Sequence, residues 1–176
     1  MHRIGRGVSA ALVGLLTATV GVVGAGGAPV AAANWSLSDL TTSGVDATRL
    51  AQEIAGVGVT INSATFTGDE RAAGLFGGQG VADTIGVAHG VVLSSGRVSD
   101  IPGPNDTSSR SGSNGRPGDP DLDALVSGLT RDAAVLEIVF TPVEADLQIN
   151  YVFASEEYRE FVNSTFNDVF AFFING

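Results

Sequence analysis

Cysteine and lysine are both absent from this 176-residue chain. Without cysteine there is no disulfide frame, no thiolate nucleophile and no cysteine-type zinc site. Without lysine there is no phosphate-gripping P-loop lysine and no Schiff base. Histidine occurs only at positions 2 and 89. With His2 in the leader described below, a two-histidine metalloprotease site cannot be assembled from what remains. Basic residues are scarce too: nine, all arginine, against nineteen Asp and Glu. An acid surplus of that size argues against nucleic acid as a partner, because phosphate binding needs a basic surface. It suits cations, or simply solubility outside a cell.

The one long apolar run lies at the amino end. Arg3 and Arg6 precede an apolar stretch from Val8 to about Val23, and small residues follow up to Ala31-Ala32-Ala33. A positive start, an apolar middle and an A-x-A exit make a secretory signal peptide over residues 1–33. The run is broken by glycine and lacks a basic flank, so it makes a poor permanent span. Cleavage leaves roughly 143 residues, one ordinary domain, with seven arginines against all nineteen acids. No later stretch is long and apolar enough to cross a bilayer. The expected product is secreted or held at the cell surface, with no membrane span after cleavage.

The rest of the chain reads as mostly β. Residues 34–45 are polar and form a loose lead-in to a domain over 46–176. Asp46 caps a short helix, Ala47 to Ala55, with Leu50 and Ile54 on one face and a stop at Gly56. Val57 to Ile61 and Ala64 to Thr67 alternate as strands. Gly74-Leu75-Phe76 is a short strand that runs into a flexible turn at Gly77 to Gly80, and Gly90 to Ser94 is another strand. Ser95 to Asn114 is a long loop rich in Ser, Gly, Pro, Asn and Asp, of a length that is either functional or disordered. Ala134 to Phe140 puts Leu136, Ile138 and Phe140 on one face against Val135, Glu137 and Val139, with Thr141-Pro142 breaking it. Leu147 to Phe153 alternates Leu147, Ile149, Tyr151 and Phe153 against Gln148, Asn150 and Val152. Val169 to Ile174 is apolar on both faces, like a strand deep in a two-layer structure. Asn175-Gly176 is a strong hairpin signal, and it suggests a partner strand further on. The expected fold is an antiparallel β-sandwich-like domain with one or two short helices, truncated at its carboxy end.

Two acidic clusters stand out. Asp119, Asp121 and Asp123 alternate as D-x-D-x-D, a spacing whose oxygens can converge on calcium. An EF-hand is excluded: Ala124 replaces its turn glycine, and Thr130 stands where its bidentate glutamate belongs. Asp119 serves equally well as a helix cap ahead of Pro120, with Asp121 favoured by the helix dipole. The second cluster, Glu156, Glu157, Glu160, Asn167 and Asp168, lies between two apolar strands. Carboxylates this dense need a cation, an arginine such as Arg159, or raised pKa values. Asp119, Asp121, Asp123, Glu156, Glu157 and Asp168 are therefore the candidate metal ligands, with Ca2+ the expected ion and no other cofactor. Paired carboxylates could also serve a glycosidase, which places them about 5 Å apart for retention or about 6.5–9.5 Å for inversion. A serine triad on His89 has no nucleophile elbow around any serine, and His89 beside Gly90 reads as a turn residue.

Four stretches carry a resemblance: Gly118 to Leu125; Asp132 to Glu137; Tyr151-Val152-Phe153-Ala154-Ser155-Glu156-Glu157-Tyr158; and Phe166-Asn167-Asp168-Val169-Phe170-Ala171-Phe172-Phe173. Together with Leu50 to Gly68 and Gly90 to Gly96, they resemble the choice-of-anchor L domain from about Leu50 to Gly176. Arg159 departs from the proline of many members. The resemblance implies an exported bacterial surface or secreted protein, a chain that continues past Gly176, and no catalytic residues. The function expected is a non-catalytic display, adhesion or ligand-binding module, calcium-stabilised, with an extracellular or cell-wall ligand. The alternatives are a secreted glycosidase-like hydrolase using the paired carboxylates, or a purely architectural module.

Overall fold

Backbone pairing between apolar strands organises the chain into two antiparallel sheets. A computed structural model describes residues 8–11, 33–103, 112–143, 146–155 and 168–174. The first sheet has the order β3 (Val59–Thr67), β6 (Val135–Pro142), β1 (Val8–Ala11), β7 (Ala171–Ile174). The second has the order β2 (Asn34–Asp39), β4 (Ala73–Gln79), β5 (Gly90–Leu93). Helix α1 (Ala47–Ile54) touches β3, β4 and β5. Short helices α2 (Val81–Ile85) and α3 (Pro120–Asp123) complete the set of α-helices among the described residues. The fold is mostly β with little helix, as the alternation of the strands foretold.

One core serves both sheets. Leu136 and Ile138 from β6 meet Ala73 and Leu93 from the second sheet, and Leu50 and Ala51 of α1 complete the cluster. Leu50, Ala51, Ala73, Ala134 and Leu136 are fully buried. A smaller cluster of Val92, Val98 and Ile101 packs with Trp35, Leu37 and Phe76. Burying a leucine-sized side chain stabilises a fold by about 1.5–3 kcal/mol, so the cluster around Leu50, Leu93 and Leu136 is a main source of cohesion.

Several boundaries differ from the sequence reading. Residues 34–39 are not a loose lead-in: they form β2, which pairs with β4 from Asn34↔Gln79 to Asp39↔Gly74. That pairing turns Gly77 and Gly78 from turn into strand. A side chain at Gly74 or Gly78 would collide with the backbone of β2, so glycine there permits close approach rather than flexibility. The two expected strands in 57–67 are one, β3, with a register shift between Ile61 and Ser63, the mark of a bulge. Pro142 does not break β6 but pairs with Val59 at the ladder end, where a missing N–H costs least. Helix α1 follows its expected cap, with Arg49 N–H donating to Asp46 Oδ1 at 2.7 Å. Its Ile54, however, is 48% exposed and the buried pair is Leu50 and Ala51.

Two differences matter more. Leu147 to Phe153, the clearest alternation in the chain, belongs to no ladder. Val169 to Ile174 shortens to β7, the edge of its sheet rather than a central strand. The strand beside it is β1, drawn from the apolar amino-terminal run.

Candidate functional site

The loop between β5 and β6 reaches the core through a set of buried polar side chains. Asp132, only 8% exposed, has a φ of 51°, a left-handed backbone that Asp tolerates better than most residues. Its carboxylate accepts from Ser113 Oγ at 3.0 Å and Asn114 N–H at 3.1 Å. It accepts from Arg116 N–H as well. Backbone bonds run alongside, from Asp132 N–H to Arg116 O and from Ala133 N–H to Pro117 O. Asn114 then reaches the other end of the loop, its Nδ2 donating to Ser95 O at 3.2 Å and Gly96 O at 2.8 Å. One aspartate and one asparagine thus pin together three stretches far apart in sequence.

A second carboxylate, Asp69, adjoins this hub. Arg71 grips it twice, Nε to Oδ1 at 2.7 Å and Nη2 to Oδ2 at 3.0 Å. Arg116 Nε donates from the other side at 3.4 Å. Arg116 therefore joins both acids, Asp132 by its backbone and Asp69 by its guanidinium. The Arg71 hydrogen bonds hold the Asp69 carboxyl far below its usual range, against the opposing pull of burial. Neither Asp69 nor Asp132 was a candidate on sequence. Asp132 takes its donors from residues 16–19 positions away; the Asp69–Arg71 pair is local, and only the link from Asp69 to Arg116 spans 47 positions.

The candidate ligands of the first acidic cluster make local bonds. Asp119 Oδ1 accepts from the N–H groups of Asp121 and Leu122 at 3.0 and 3.2 Å, with Pro120 at the first helical position. This is the helix cap that the spacing allowed as an alternative to metal. Asp123 Oδ1 accepts from the Thr130 N–H and hydroxyl, both at 2.6 Å. Those bonds, the hydroxyl's first, lower the Asp123 pKa. Asp121 is exposed. Among the described residues, no three His, Asp or Glu side chains gather in an arrangement that could hold a metal ion.

Glu156 and Glu157 of the second cluster lie outside the described residues. Asp168 is described, and Ser155 Oγ donates to its Oδ2. That bond joins the two ends of the segment 156–167. His89, read as a turn residue, follows α2 and meets Glu53 of α1 at 2.8 Å. The His89 bond is the main influence that lowers the Glu53 pKa.

Aromatic rings collect around β7. Tyr151 lies 5.3 Å from Phe170 and 5.6 Å from Phe172, and Phe153 lies 6.1 Å from Phe170. Despite these contacts Tyr151 is 60% exposed and Phe153 44%. An open cleft of about 650 Å3 runs beside them, with Ile85, Val87 and Ala88 facing Ile149, Tyr151 and Val152. Among the described residues no helix is long and apolar enough to cross a membrane.

Two antiparallel sheets around one core, with acids that cap and staple, define a β-rich module. The family profile of the choice-of-anchor L domain matches residues 39–176, and the chain belongs to that family. Neither the curated proteins nor the solved structures yield a match. Membership points to an exported or surface-associated protein and to a non-catalytic module.

Proposed function

We propose that the chain is an extracellular display or ligand-binding module that reaches the cell exterior through a cleaved leader, residues 1–33, and presents its β5–β6 loop from a rigid two-sheet scaffold. The Asp132–Asn114 staple carries this reading. Recognition residues are commonly held on loops positioned by a rigid framework, and three stretches of this loop are tied to one another by part-buried hydrogen bonds. The same loop carries Leu125 and Leu129, 54% and 84% exposed, beside the exposed Asp121. Apolar side chains kept outward with a carboxylate suit contact with a cell-wall or other extracellular ligand better than chemistry. The acids nearby support a non-catalytic role, since Asp119 and Asp123 spend their hydrogen bonds on their own loop.

Protease shaving of intact producing cells, read by mass spectrometry, should release peptides from residues 112–131. Purified cell-wall sacculi should retain the processed protein, and Leu125→Asp with Leu129→Asp should lower retention at least fivefold while the circular dichroism spectrum stays unchanged. A cytosolic protein with an intact leader would overturn the export reading. Retention unaffected by both substitutions would overturn the loop's role.

Calcium enters the proposal as a weak stabiliser of the acidic segment whose ends Ser155 and Asp168 join, with Glu156 and Glu157 inside it. Extracellular calcium modules bind at roughly 0.1–1 mM. At 10 mM calcium such a site would add about 1.4–2.7 kcal/mol, so chelator should lower the melting midpoint by several degrees. An unchanged midpoint removes calcium from the account.

A further inference from the structure

Strands β6 and β7 are separated by β1, which runs antiparallel to both, so β6 and β7 run parallel to each other. Val8 stands opposite Ile138 and Ile174, and Ala10 opposite Leu136 and Phe172. A strand in this place must oppose both neighbours in direction. It must also bring every second residue to the face shared by Leu136, Ile138 and Phe172. The strand that meets those demands here is four residues long and comes from the apolar leader.

Another segment of the chain meets them better. Leu147 to Phe153 follows β6 after residues 143–146, a connection of hairpin length, and sequence neighbours commonly pair. Turning back after β6 sets it antiparallel to β6, and therefore antiparallel to β7 as well. Closing the hairpin with Leu147 opposite Pro142 puts Ile149 opposite Phe140, Tyr151 opposite Ile138 and Phe153 opposite Leu136. Directly opposed residues share a face, so all three apolar side chains join the core side, where Leu136 is fully buried and Ile138 nearly so. Gln148, Asn150 and Val152 then fall on the side of Glu137, which is exposed. The segment belongs to no ladder and rests its rings against Phe170 and Phe172.

We infer that β1 is a placeholder: while the leader remains attached it occupies the position between β6 and β7, and its removal lets Leu147–Phe153 enter as the central strand of the sheet. The exchange replaces a four-residue strand by a seven-residue one and takes the exposed Tyr151 and Phe153 rings out of water. It makes leader removal the step that completes the sheet. The inference rests on the reading of residues 1–33 as a cleaved leader.

The absence of native cysteine makes disulfide trapping clean. A Ser9→Cys, Glu137→Cys pair reports the leader strand in place, and a Val139→Cys, Asn150→Cys pair reports the exchanged strand. Under mild oxidation the uncleaved chain should form the 9–137 link and no 139–150 link, and the chain starting at Asn34 should form the 139–150 link. A 139–150 link in the uncleaved chain would overturn the placeholder role. Ser9→Pro in the uncleaved chain supplies an arm that needs neither cleavage nor independent folding of the shorter chain. Proline removes a ladder donor from β1, so the 139–150 link should appear; its absence there overturns the proposal. A leader found uncleaved in the producing cell would remove the export reading and leave the Ser9→Pro result standing.

Discussion

The stretch before β6 and the stretch after it invert the usual relation between sequence pattern and order. Residues 112–134 are rich in Gly and Asp with little periodicity, yet Asp132 and Asn114 fasten them together and to the residues after β5. Residues 147–153 alternate but for Val152, yet they belong to no ladder and expose Tyr151. Alternation states what a strand could bury; it does not say which neighbour occupies the place where burial would happen. A polar loop, conversely, is as rigid as the few acceptors that answer its N–H groups, and one buried carboxylate can answer three.

The comparison can be broken first at its stronger side. Asp132→Ala leaves three donors without their acceptor and puts a β-carbon residue with no polar side chain at a left-handed φ. Orphaned buried donors and backbone strain each cost about 1–3 kcal/mol, so urea unfolding should show a loss of roughly 2–4 kcal/mol. Asp132→Gly relieves the backbone but not the orphaned donors, and should recover only part of the loss.

Acidity tests the neighbouring carboxylate. The folded pKa of Asp69 lies well below its ordinary 3.8. The unfolded chain thus takes up this proton first as pH falls. The stabilisation is fully present above about pH 4 and declines as pH drops toward the folded value. Asp69→Asn should flatten that part of the pH–stability curve, whereas Glu70→Gln, a neighbour without the Arg71 clamp, should not.

The weaker side should give the smallest effect. In the uncleaved chain Phe153→Ala removes an exposed ring from β7's aromatic group and should cost under about 1 kcal/mol, since a ring pair contributes about 0.5–1.5 kcal/mol at most beyond burial. In the processed chain the same substitution should cost several-fold more if the strand has moved inward. Equal costs in the two forms would show that the segment keeps its place.

Local chemistry was legible where a residue's partner lies within a few positions. The Asp46 and Asp119 caps, the helix between Ala47 and Ile54, and the alternation of β3 and β6 all belong to that class. The β2 strand was not legible: Asn34 to Asp39 has a polar look, and it becomes a strand through β4, forty residues away. The glycines of β4 point to a turn unless the backbone they make room for is known. Asp132 was hidden for the same reason, whereas Asp69 lies two residues from its main partner Arg71 and only its link to Arg116 was out of reach.

By itself the sequence determined the β-rich class, the apolar amino-terminal run, the acid surplus, the family and the excluded chemistries, because composition and short-range periodicity are properties of the chain before it folds. The tertiary structure alone decided which strand lies between β6 and β7, which distant donors Asp69 and Asp132 gather, and which aromatic rings meet water. Those outcomes depend on competition between distant segments for the same hydrogen bonds and the same core, and no local pattern records who wins it.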